Sequence, residues 1–213
     1  IAREAMEDVL QLREEVVAAG DQYRLSGFRN ASTTLRMAFD LMPRETEQDW
    51  ANIAARTALV PEGIASYRVS LAEGIRLRVP TARRQVAQAI KQSNTYGCGD
   101  GSKPFFQTLV EAFDATGIQS PALRSELESA AATAAQTYVE FSQYLEEKFM
   151  DSAVERDGVG RELYQLSSRV YNGVELDLEE TYQWGWDELY RIEEEMRQTC
   201  AKILPGASIE ETK

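Results

Sequence analysis

The chain contains no histidine and two cysteines in 213 residues, and it has no apolar run long enough to span a bilayer. Each shortage excludes a class of function. Without imidazole there is no Ser-His-Asp triad, no His-ligated zinc, no Glu-x-x-His di-iron site and no histidine general base. Two distant cysteines, Cys98 and Cys200, make neither a disulfide framework nor a C-x-x-C motif. They read as reduced thiols of a cytoplasmic protein, the alternative being a single bridge between the Cys98 loop and the last long helix. Positive charge is also scarce, with 23 Lys and Arg against 35 Asp and Glu, a net charge of −12. A nucleic-acid backbone or an anionic membrane surface requires a basic face, so neither is expected as a partner.

Hydrophobic residues make up 43 % of the chain, enough for a packed core and too many for wholesale disorder. The length allows one large domain or two small ones. Both ends read as cut. The chain opens without Met, directly on a helical pattern. Near the other end, Pro205-Gly206 stops one helix and Ser208-x-x-Glu211 starts another just before the last residue. The expectation is a segment of a longer protein.

Apolar residues recur at helical spacing almost throughout. Met6, Val9, Leu10, Val16 and Val17 predict a helix over 2–19, closed at Gly20. A short helix through Leu35, Phe39 and Met42 must stop before Pro43. Thr46 can cap a helix through Trp50 and Ile53, and Pro61 suits the first turn of the next. Pro80 is expected to open a further helix, ending near Thr95. Phe105 to Gly117 reads as a short helix, 121–149 as a long one, Leu163 to Tyr171 as a short one and 178–204 as a second long one. Asp177 and Glu180 mark the start of that last helix. No stretch alternates apolar and polar long enough to predict a strand. The expected fold is therefore all-α, a multi-helix bundle or helical array with two long helices.

The stretch 97–104, Gly-Cys-Gly-Asp-Gly-Ser-Lys-Pro, is the strongest break. It divides an amino-terminal helical half, 1–96, from a second half, 105–213, and acts as a loop or hinge between them. Asp100 within it lacks the companions a calcium loop needs and reads as part of a turn.

Both long helices carry seams with steps of four and three. In the first these are Leu123, Leu127, Ala130, Ala134, Thr137, Phe141 and Tyr144; in the last, Leu178, Tyr182, Gly185, Leu189, Ile192, Met196, Thr199 and Ile203. Such seams suit helices crossing at about 20°. Ala130, Ala134 and Gly185 would permit close backbone approach.

Candidate chemistry is sparse. The carboxylate pairs and triplet at 146–147, 179–180 and 193–195 are consecutive on helices, point about 100° apart, and read as solvated faces. No catalytic residue and no metal ligand is assigned. In Trp184-Gly185-Trp186 the indoles point to different sides of the helix; one is expected in the core, the other against a second layer, a groove or a partner domain. Gly160, Arg161 and Tyr164 follow a Gly-rich loop at a helix start. Arg161 can bind a carboxylate by its planar fork, and Tyr164 can donate its hydroxyl into a cleft. An ordinary helix start with an exposed Arg is the plain alternative.

Val159-Gly-Arg-Glu-Leu-Tyr164, Leu176-Asp-Leu-Glu-Glu-Thr-Tyr-Gln-Trp-Gly-Trp186, Glu188-Leu-Tyr-Arg-Ile192, Glu194-Glu-Met196 and Pro205-Gly206 together resemble the bacterial domain-of-unknown-function family 885. Asp49-Trp50 with Ile53 and Arg56, Val60-Pro61, and Tyr67 with Leu71 and Gly74 agree more loosely. The resemblance implies a mostly helical zincin, similar to thermostable carboxypeptidases of the Taq type, and metal-dependent peptide hydrolysis. In such enzymes an H-E-x-x-H helix supplies two zinc ligands and the general base. This chain has no histidine, so no zinc ligand carries over. The resemblance implies an amino-terminal helical portion that forms one wall of a peptide cleft, with a downstream catalytic half and a peptide as its partners. Gly160 and Tyr164 match the family's G-x-x-x-Y pattern, which makes Gly160, Arg161 and Tyr164 the candidate substrate-binding residues. The alternative is a non-catalytic, acidic helical interaction module.

Overall fold

The computed structural model describes residues 2–28, 30–99, 101 and 103–212. Short-range signals set most helix ends. The first helix, α1 (Ala2–Ala18), is followed by a 3-10 turn at Asp21–Tyr23. Asn30 caps α2 (Ala31–Met37) by accepting the Thr33 N–H. Sequence reading missed this start, because the apolar pattern begins only at Leu35. A reciprocal box opens α3 (Glu47–Ala58): Thr46 Oγ1 accepts the Asp49 N–H at 3.1 Å, and the Asp49 carboxylate accepts the Thr46 N–H at 2.9 Å. The bond from the Thr46 backbone holds the Asp49 carboxyl below its ordinary range. Pro61 lies in the first turn of α4 (Val60–Arg76), as expected.

Pro80 does not open a helix. Residues 81–82 are extended and pair with Val154: the Val154 N–H donates to the Thr81 carbonyl at 2.9 Å, and the Arg83 N–H donates to the Val154 carbonyl at 2.8 Å. A partner more than seventy residues away occupies the backbone groups that a helix would have used, and helix α5 (Arg83–Gly97) begins after it. The isolated bridge at Ala82 and Val154 is the one β-type pairing among the described residues, which are otherwise helix, turn and loop. The fold is all-α.

Helices α6 (Phe105–Thr116) and α7 (Pro121–Tyr144) follow, and α7 continues into a wider, π-type turn at Leu145–Phe149. Of the stretch 97–104, Gly97 is still helical, as the last residue of α5, against expectation, while residues 98–99, 101 and 103–104 are non-helical as expected; the turn assigned to Asp100 lies outside the described residues. Gly97 is needed for packing. A Cβ there would lie 2.7 Å from the Ala135 carbonyl oxygen and 2.8 Å from the Val139 nitrogen, so glycine lets α5 close on α7.

The chain divides into two compact units, Ile1–Val159 and Gly160–Lys213. In the first, α3, α4, α5 and α6 pack on α7, and helices from both sides of the 97–104 stretch share one core. Trp50, Ile53, Leu71, Phe106, Leu127 and Phe141 are fully buried there. Trp50 meets Phe113 edge to face at 5.5 Å and donates its indole N–H to the Arg44 carbonyl at 3.0 Å. The α7 seam is buried at Leu123, Leu127, Ala130, Ala134 and Phe141, but Tyr138 replaces Thr137 in it. A helix of 3.6 residues per turn drifts from a strict 3.5 repeat, and one added residue restores the face. The Tyr138 hydroxyl donates to the Ser32 carbonyl at 2.6 Å. Helix α1 keeps Met6, Val9, Leu10 and Val17 exposed.

The second unit holds α8 (Arg161–Asn172), α9 (Leu178–Ile203) and the short α10 (Ile209–Thr212). Asp177 caps α9 by accepting the Glu179 and Glu180 N–H groups, both at 3.0 Å. Ser208 and Glu211 form the expected box at α10. No described residue of these three helices is buried. The expected pairing of the α9 seam is thus corrected: Tyr182, Leu189, Ile192, Met196 and Ile203 are all exposed. A 4-3 spacing reports which face is apolar, and the cover must come from elsewhere. Cys98 and Cys200 are free thiols.

Candidate functional site

Gly160 precedes α8 with φ of +89° and ψ of 161°. A Cβ there would meet nothing within 4 Å, so the backbone conformation, not space, requires glycine. Within α8, Tyr164, Ser168 and Asn172, each four residues apart, share one face.

That face lines an open groove of about 650 Å³. The first turns of α9 line it as well, at Leu178, Thr181, Tyr182, Gly185, Trp186 and Leu189, together with Leu176 from the connecting segment. The Gln165 amide holds the connecting segment against α8 through a 3.0 Å bond to Glu175. Of the three candidates read from the sequence, the structure places Tyr164 in the groove, 60 % exposed. Arg161 and Gly160 are not among the groove's lining residues. The Arg161 guanidinium is ion-paired with Glu179, both largely exposed. A ligand carboxylate would have to displace Glu179 to reach that fork, and an exposed pair of this kind is worth at most about 1 kcal/mol.

Neither indole of the Trp-Gly-Trp element is in a core: Trp184 is 64 % exposed and Trp186 is 40 % exposed. The expectation that one faces inward fails because α9 has no covered side. Trp186 instead forms the middle of a row. Its ring stacks with Tyr190 at 5.8 Å and 29°, and meets Tyr182 edge-on at 6.2 Å and 79°. Sequence reading had singled out Trp184 and Trp186 and missed this row, although the spacing of 182, 186 and 190 was visible in the sequence as i, i+4, i+8. Gly185, expected to admit a close neighbour, has open space around it.

Elsewhere on α9, Arg191 clamps Glu188 at 2.7 and 2.6 Å and also pairs with Glu195. The bond from Arg191 draws the Glu188 carboxyl below its ordinary range. Arg197 pairs with Glu193 at 2.6 Å. These links between successive turns stabilise the helix and leave its apolar stripe untouched.

Among the described residues there is no group of three or more Cys, Asp or Glu side chains placed to hold a metal ion, and the sequence offers no histidine. The residues present do not fit a zinc site. No described helix is long and apolar enough to cross a membrane. The groove can bind and orient a ligand through aromatic faces, a tyrosine hydroxyl and the Ser168 and Asn172 side chains.

The sequence model of a bacterial family, described as "Bacterial protein of unknown function (DUF885)", matches residues 1–212. No curated protein matches the chain.

Proposed function

The chain belongs to that bacterial family, DUF885, and from this premise we propose that it is the helical scaffold of a zinc-dependent, carboxypeptidase-like peptidase, forming one wall of a peptide cleft. The observation that carries the reading is the groove between α8 and α9, open and aromatic, on helices that bury no side chain. Such a surface gains free energy when an extended or helical segment covers it. Tyr164 of α8 and Trp186 of α9 both line the groove and are the residues assigned to peptide contact. Gly160 acts by supplying the positive-φ turn from which α8 starts, and Arg161 by its link to Glu179.

On this reading the zinc ligands and the general base belong to a catalytic half downstream of Lys213, in a cytoplasmic parent protein. This chain binds and orients. The alternative, a non-catalytic acidic module complete in itself, expects its apolar faces to be covered; the exposed indoles of Trp184 and Trp186 count against it.

The test compares the isolated chain with the full reading frame. The isolated chain should bind no stoichiometric zinc and cleave no peptide, and the longer polypeptide should do both. A full reading frame without a metal-ligand cluster after Lys213 overturns the reading.

A further inference from the structure

Half of the net charge lies on the shorter unit: residues 160–213 carry six basic and twelve acidic side chains, a net charge of −6. The position of those charges on α9 matters more than their number. Successive residues turn about 100° around a helix, so Tyr182, Trp186 and Tyr190 form a slowly winding row. Asp187 lies three residues before Tyr190 and Glu194 four residues after it, which puts both carboxylates beside the Tyr190 end of the row, on the flank away from the residues that line the groove. The arginines of α9 are engaged elsewhere, Arg191 with Glu188 and Glu195, and Arg197 with Glu193. The Asp187 carboxylate accepts from the Gln183 amide at 2.9 Å. Glu194 accepts from the Gln198 amide at 3.0 Å and makes a long ion pair with Arg197 at 3.7 Å. Neutral amides leave the negative charge of Asp187 in place. The α8 side of the groove adds the uncharged Tyr164, Ser168 and Asn172.

We propose that this face of α9 selects cationic peptide segments, laying lysine or arginine side chains over the Tyr182–Trp186–Tyr190 row while Asp187 and Glu194 hold their charge. The inference rests on the reading of the groove as a peptide surface and names the class of peptide. Aromatic faces attract ammonium and guanidinium groups, and neighbouring carboxylates add to that attraction. The methylene stems of the same side chains cover apolar surface, so one residue satisfies both rows. A second copy of the chain is the poorer occupant, because it would bring a net charge of −12, half of it on this same unit, against this face. Anionic lipid is disfavoured for the same reason.

The test titrates the full chain with three synthetic peptides of one leucine pattern, carrying lysine, glutamine or glutamate at the polar positions, and follows binding by calorimetry. The lysine peptide should bind about tenfold or more tightly than the glutamine peptide, and the glutamate peptide should not bind. Trp186→Leu should weaken the lysine peptide about tenfold, with Trp186→Phe recovering part of the loss. The double variant Asp187→Asn, Glu194→Gln should bring the lysine peptide to the level of the glutamine one. The control double variant Glu146→Gln, Glu147→Gln, on the first unit, removes the same charge and should change nothing. Equal binding of the lysine and glutamine peptides overturns the cationic preference and leaves the peptide groove standing. No binding of any of them overturns both. An equal loss in the control variant reduces the effect to overall charge and overturns the site. A dimer in sedimentation equilibrium that Trp186→Leu dissolves makes a second copy the occupant and also overturns the proposal.

Discussion

Helices α7 and α9 carry the same alternation of four- and three-residue apolar steps, and they differ in every other respect. Along α7, Leu127, Ala134 and Phe141 are wholly out of water, with α3, α5 and α6 laid on the seam. Along α9, Leu189, Ile192 and Met196 remain exposed at the equivalent spacing. Burial of such side chains yields about 1.5–3 kcal/mol each, so α7 is held by its surroundings and α9 chiefly by its own caps and ion pairs. Amphipathic spacing is a demand for cover. Around α7 the chain answers the demand itself, and along α9 the aromatic row and the seam stay available.

This contrast can be broken or sharpened by mutation. The largest effect is expected in the α7 seam: Leu127→Ala or Phe141→Ala should destabilise the first unit by about 3–5 kcal/mol, read from urea unfolding through the emission of buried Trp50. A loss below about 1 kcal/mol would mean that the seam is not the centre of the core.

Alkali should act next, and selectively. Burial pushes the Tyr138 phenol well above its ordinary value. The buried tyrosine stays protonated where the unfolded one would ionise, so its contribution is complete below the ordinary tyrosine value of about 10 and drains away as pH rises from there through the raised value. The urea midpoint of the first unit should therefore fall above about pH 10, and Tyr138→Phe should lessen that fall, the buried Tyr67 phenol, raised in the same way, supplying much of the rest. A midpoint independent of pH in this range contradicts the assignment.

Thr46→Ala should cost about 1 kcal/mol by removing the α3 cap. Acid should imitate it. The Asp49 carboxyl is held below its ordinary value, so its contribution is present above that value and is lost as pH falls through the lowered one. Asp49→Asn should lose most of this acid dependence in the same unfolding assay, whereas Thr46→Ala, which keeps the backbone donor, should retain much of it. The smallest effect belongs to α9, where Leu189→Ala should change stability by no more than about 0.5 kcal/mol while leaving helix content by circular dichroism intact. A loss comparable to that of Leu127→Ala would erase the distinction between the two helices.

Local chemistry carried much of the fold into the sequence. The Thr46 cap, Pro61 in a first turn, Asp177 before α9 and the Ser208–Glu211 box all lie within a few residues of what they organise. Features set by distant contacts did not show. The extended residues at 81–82 depend on Val154, and the use of Tyr138 instead of Thr137 depends on the drift of a real helix and on Ser32 waiting as an acceptor. At the groove, the turn at Gly160 and the aromatic spacing of α9 were visible. The pairing of Arg161 with Glu179, and the absence of cover over Trp184 and Trp186, were decided by how α8, its following loop and α9 come together.

Native-state hydrogen exchange on the full chain, resolved along α7 and α9 in one experiment, tests the central contrast most directly. Amides of α7 around Leu127–Phe141 should exchange only through global unfolding, whereas those of α9 around Tyr182–Met196 should open locally and exchange far faster under the same conditions. Equal protection of the two helices would contradict the account, because it would mean that the α9 face is already covered.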